Sequence, residues 1–174
     1  MININNPLIP AIIALIGTMV GAIFGGIIPH FLRVKTEYKS FRKNKLESLY
    51  DDLNNWFNTS YCLFVLNFYL VFDKKIDWNG YLDFINKSNI EKEKVFFKSE
   101  IIINLYFREL ETDFKNLTKA NQVIIKYINN DIKKTYLAGG DILAFKQDFH
   151  AKAMETTALA EKLKDHIKCI AQRI

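Results

Sequence analysis

Residues 7–32 read PLIPAIIALIGTMVGAIFGGIIPHFL, and this run decides the fold. It holds no charged side chain, and only Thr18 and His30 are notably polar. A helix that crosses a bilayer needs ~20 mostly apolar residues, and the run supplies them with some to spare. A single transmembrane helix is therefore expected over 7–32.

The flanks give its direction. The leading segment MININN, residues 1–6, carries no basic side chain. Immediately after the run come Arg33, Lys35, Lys39, Arg42, Lys43 and Lys45, against one acid, Glu37. Lys and Arg beside a span stay on the cytoplasmic side. The expected topology is single-pass in the inner (cytoplasmic) membrane. Residues 1–6 form a short extracytoplasmic tail, 33–45 a basic segment against the lipid surface, and 46–174 a cytosolic domain. A cleaved signal peptide would have a basic leader and an apolar core of ~7–15 residues. Here the charge is on the other flank and the run is longer.

Within the run, Gly17, Gly21 and Gly25 recur every four residues, beside a second small row of Ala14, Thr18, Ala22 and Gly26. Residues four apart share a helix face. Such a row is a groove that another helix backbone can approach closely, as in a glycine zipper. One convincing span per chain means that the partner helix belongs to another chain, and a homo-oligomer is the expected arrangement.

The excess charge is local. The chain has 24 basic and 19 acidic residues, and the whole difference of +5 falls between 33 and 45, leaving 46–174 balanced. A nucleic-acid binder more often carries a basic face on its folded domain, so lipid headgroups are the expected partner and nucleic acid is not. Seven Gly, three Pro and two Cys argue against a turn-rich β fold and against a disulfide framework. The free thiols of Cys62 and Cys169 suit a reducing cytosol.

Beyond the span the pattern is helical throughout. Leu46, Leu49, Leu53, Trp56, Ser60 and Leu63 mark one helix face. The apolar stretch YCLFVLNFYLVF at 61–72 is too short to span and reads as a buried core helix. A short helix is expected near 78–86, and the pair Ser88 and Glu91 reads as a capping box opening the next helix. From 90 to 138 there is neither Gly nor Pro. There Ile103, Phe107, Leu110, Phe114, Leu117, Asn121, Ile124 and Ile128 form a heptad-type, coiled-coil-like seam. Asn121 either fixes register inside the seam or sits solvated at its edge. Gly139 and Gly140 close that helix, and Asp141 caps the next. Phe145, Phe149, Thr156, Ala160, Leu163, Ile167, Ile170 and Ile174 mark the apolar side of that last helix. The expected fold is all-α: a single N-terminal transmembrane helix, then an elongated cytosolic antiparallel bundle of three long helices and one short one.

Chemistry is sparse. His166 and Cys169 are three apart, yet two ligands do not make a zinc site. His30 reads as an interfacial residue at the cytoplasmic edge of the span, His150 lies beside Asp148 on a helix, and Glu109, Glu111 and Asp113 read as a solvated acidic face. Nucleophile elbows, phosphate-binding loops and HExxH motifs are absent. No cofactor, metal or catalytic residue is expected, and the chain is not read as an enzyme. The resulting expectation is an oligomeric membrane effector, of the toxin or phage-defence type, whose cytosolic helices control the span. The alternative is a membrane-tethered adaptor that recruits a cytosolic protein.

Overall fold

The computed structural model describes residues 8–174, with side chains throughout except at 8, 9, 59 and 87–94. The protein is all-helical, 92% helix, and no strand occurs among the described residues. It divides into two compact units, Met1–Lys43 and Asn44–Ile174. Residues 1–6, the expected extracytoplasmic tail, lie outside the described residues.

The first unit holds α1, Leu8–Ala22, a single π turn, Ile23–Ile27, and the beginning of α2, Ile28–Asn55. The π turn precedes Pro29 for a physical reason. Proline offers no N–H and its ring crowds the carbonyl four residues back, here that of Gly25. In the wider turn the N–H of Ile28 bonds to the carbonyl of Ile23, five residues back, and the helix continues through Pro29. The hydroxyl of Thr18 donates to the carbonyl of Ala14 at 2.8 Å, so the one polar side chain of α1 satisfies itself within the helix.

The second unit opens with Leu46, Leu49 and Leu53 of α2, all buried. A second π turn, Trp56–Tyr61, links α2 to α3, Cys62–Phe72. It corrects the face expected from spacing. The N–H of Cys62 reaches the carbonyl of Phe57, again five residues back. The additional residue in the turn advances the phase of the helix. The buried face therefore passes through Tyr61, Phe64 and Phe68, whereas Ser60 is half-buried and Leu63 is 43% exposed.

The break expected over 73–89 is confined to the residues between Phe72 and Trp78: α4 runs unbroken from Trp78 to Tyr106, and the expected short helix is its first part. Its start is set by Asp77, whose side chain accepts from the N–H of Gly80 at 2.8 Å. The side chains of Ser88 and Glu91 lie outside the described residues. The break falls instead at Phe107 (φ −140°, ψ 57°), inside the stretch read as one helix. A 3₁₀ turn, Arg108–Leu110, leads into α5, Glu111–Tyr127. A third π turn, Ile128–Ile132, continues into α6, Lys133–Leu137.

Gly139 closes α6 with φ +71°. Its N–H bonds to Tyr136 and that of Gly140 to Thr135, a Schellman ending. Asp141 accepts from the N–H of Leu143 and opens a 3₁₀ turn, Leu143–Phe145, ahead of α7, Lys146–Arg173.

Two adjoining apolar clusters fill this unit. In the first, Leu46, Leu49 and Leu53 share a core with Ile103, Phe107, Leu110 and Leu117, and with Leu163, Ile167 and Ile170 of α7. In the second, Phe68 is fully buried among aromatic rings: Phe149 at 4.8 Å, Tyr81 at 4.9 Å and Phe72 at 5.1 Å between centroids. Such ring pairs add to the area that they bury. The Tyr61 hydroxyl donates across the unit to the carbonyl of Ala153 at 3.0 Å, tying the second π turn to α7.

Candidate functional site

Every residue from Pro10 to Phe41 is exposed. In the first unit these include Ile13 at 64%, Phe24 at 68% and Phe31 at 69%. A soluble protein rarely leaves so continuous an apolar surface in water. The Pro10–Phe72 helix contains an 18-residue window of mean hydropathy 2.4 with no residue of that window buried. This is the one helix among the described residues long and apolar enough to cross a membrane.

Gly17, Gly21, Gly25 and Gly26 all lie on this surface, beside the exposed Ala22, and a Cβ built on any of the four glycines would meet no atom within 4 Å. The π turn bears on their alignment. In an α-helix four residues overshoot one revolution by about 40°, so a row spaced by four drifts around the axis. A π turn takes more residues per revolution. Because Gly25 lies within Ile23–Ile27, the turn reduces its drift from the line through Gly17 and Gly21.

The basic residues Arg33, Lys35, Lys39, Arg42, Lys43 and Lys45 follow on α2. The guanidinium of Arg33 pairs with Glu37 at 2.7 Å. Arg42 and Lys45 are half-buried and the other four are exposed.

In the second unit the seam residues Ile103, Phe107, Leu110, Phe114, Leu117, Ile124 and Ile128 are buried, and Asn121 is half-buried. Asn121 lines a cleft of about 530 Å³. One wall is aromatic and aliphatic: Trp56, Tyr61 and Phe64, then Tyr81, Leu82, Ile85 and Phe96 of α4. The other is the uncharged polar side of α5, with Thr118, Asn121, Gln122 and Ile125, continued by Asn129. Among the described residues no charged side chain lines it. Burial pushes the phenol of Tyr61 up to about 12 and that of Tyr81 higher still, so both stay neutral. The Tyr81 hydroxyl is buried and has no hydrogen-bond partner among the described residues. Sequence reasoning missed this cleft. Its one local signal is the run of uncharged polar residues at three- and four-residue spacing beside the seam.

The acidic face at 109–113 is corrected in part. Glu109 is exposed, but Asp113 is buried at 8% and faces α7. Its carboxylate accepts from Lys162 Nζ at 2.8 Å and lies 2.8 Å from His166 Nδ1. The Lys162 hydrogen bond holds the Asp113 carboxyl below its ordinary value, with help from His166 and against the effect of burial.

His150 contacts the Tyr69 hydroxyl at 2.6 Å, and His30 is exposed beside Phe31. Burial pushes the Cys62 thiol up despite nearby Lys164, which keeps it protonated, and Cys169 is exposed. A thiol nucleophile needs the reverse shift. Among the described residues no three His, Cys, Asp or Glu side chains gather as metal ligands.

No family model, curated protein or solved structure matches this chain.

Proposed function

We propose that the chain is an oligomeric single-pass membrane effector. The apolar helix crosses the inner membrane with its N-terminus outside. It associates with copies of itself along the glycine row. The cytosolic helices form an antiparallel bundle that controls this assembly. The observation that carries the reading is the wholly exposed apolar surface of Pro10–Leu32. Lipid covers such a surface at no cost, while water does not. The basic residues from Arg33 to Lys45 then lie at the anionic cytoplasmic face, where each is worth about 1 kcal/mol of attraction.

Close contact along the glycines gains van der Waals packing between backbones. The self-satisfied Thr18 is compatible with lipid, where an unmet hydroxyl would be costly. That same bond favours a second reading. With the hydroxyl donor of Thr18 occupied and no charge in the span, a water-filled lumen has little polar lining. A tethered adaptor, whose bundle recruits a cytosolic protein, needs no lumen.

Reconstitution into anionic liposomes loaded with a self-quenching dye separates the two. The effector reading expects dye release that rises steeply with protein density. Full insertion without release would leave the adaptor.

A further inference from the structure

We propose that the cleft between the Trp56–Tyr61 turn, α4 and α5 is a binding site for a neutral, mainly apolar small molecule with one hydrogen-bond acceptor, and that Asn121 is its polar anchor. The proposal concerns Asn44–Ile174 and stands apart from the membrane reading.

Three features of the cleft select this ligand. Its volume of about 530 Å³ falls within the range of small-molecule sites. Among the described residues its lining carries no charge, so an ionised ligand would lose its hydration and gain no counter-charge from them. Its polarity is one-sided: rings of Trp56, Phe64 and Phe96 face the apolar body, and carboxamides of Asn121 and Gln122 offer N–H donors from α5. Asn121 is half-buried at a position where the seam otherwise carries apolar side chains. An amide placed there weakens the seam, and a ligand acceptor bonded to it offsets that loss. On the opposite wall, the Tyr81 hydroxyl of α4, without a hydrogen-bond partner among the described residues, is a second neutral donor, reached when the side chains around it shift on binding.

Benzophenone is a suitable probe, with two phenyl rings and one ketone oxygen. On illumination the excited ketone oxygen takes a hydrogen from a neighbouring C–H. The two carbon radicals then join, so the adduct retains every atom of probe and protein. The full chain in detergent is illuminated over a series of probe concentrations, and adducts are located by peptide mass spectrometry. Adducts at Ile85, Ile125 or Ile128 are expected to saturate. Those on the apolar helix are expected to rise linearly, as partition into the micelle requires. Ile125→Trp, at a position 41% exposed, blocks the cleft and should lower its adducts at least tenfold. Gln122→Trp, also at an exposed position, is the second blocking variant should the first fail to fold. Asn121→Leu should raise half-saturation by about three- to tenfold, the worth of one hydrogen bond. Cleft adducts that rise linearly, or that persist in a folded blocking variant, would overturn the proposal.

Discussion

Asp113 Oδ2 on α5 lies 2.8 Å from His166 Nδ1 on α7. Lys162, one turn earlier on α7, holds the other carboxylate oxygen at 2.8 Å. The cluster joins two helices that pair along much of their length. Because the folded carboxyl titrates below its ordinary value of 3.8, the ionised form favours folding. This contribution is complete above the unfolded value and is lost as pH falls through the folded one. Asp113→Asn should cost about 1 kcal/mol at neutral pH, a modest figure because Lys162 is largely exposed. Urea midpoints of the two proteins should converge below about pH 4. A constant difference from pH 7 down to pH 2 would show that the charge of Asp113 contributes nothing.

Phe68 joins α3 to α4 and α7 through four ring neighbours, Phe72, Trp78, Tyr81 and Phe149. Phe68→Ala should destabilise the second unit by about 3–5 kcal/mol, combining lost burial with a residual cavity. Thermal unfolding followed by circular dichroism measures it. A loss below 1 kcal/mol would mean that the aromatic cluster is not the structural centre described.

Tyr81→Phe is expected to act in the opposite direction. The Tyr81 hydroxyl is buried without a partner among the described residues, while its ring packs against Phe64, Phe68 and Trp78. Removing the oxygen keeps the rings and deletes an unmet polar group, a gain of about 1 kcal/mol. A loss of similar size in chemical denaturation would mean that the hydroxyl is bonded in solution.

Gly139 has φ +71°, where a side chain crowds the backbone. Gly139→Ala should cost about 1 kcal/mol, and Gly139→Asn less, because Asn tolerates this conformation. Equal denaturation midpoints for wild type and Gly139→Ala would show that the ending of α6 relaxes freely.

What could be read from the chain was what local spacing encodes. The charge-free run 7–32 announces an apolar helix, and the glycines at 139 and 140 announce a helix end. The polar residues of 73–89 look like one long break, but propensity alone does not stop a helix that neighbours hold in place, and the break ends at Trp78. The real break at Phe107 is hidden because Ile103, Phe107, Leu110 and Phe114 keep a helical spacing across it. The π turn at Trp56–Tyr61 leaves no sequence mark, and one such turn was enough to exchange Leu63 for Phe64 on the buried face. Asp113, Lys162 and His166 are far apart in sequence, as are the two walls of the cleft, so only tertiary packing brings them together.

The central claim, association through the glycine row, is tested most directly by the mass of the full chain in detergent, corrected for bound detergent. Gly21 has open space around it, so Gly21→Leu is compatible with the isolated helix. It also improves helix propensity by up to about 1 kcal/mol, and insertion should be unchanged. Ile13→Leu is the control, altering shape without filling the groove. The account predicts a wild-type mass that is a multiple of 20.3 kDa, retained by Ile13→Leu and shifted toward a single chain by Gly21→Leu. A Gly21→Leu protein that keeps the wild-type mass, or a wild type that is already one chain, would contradict it.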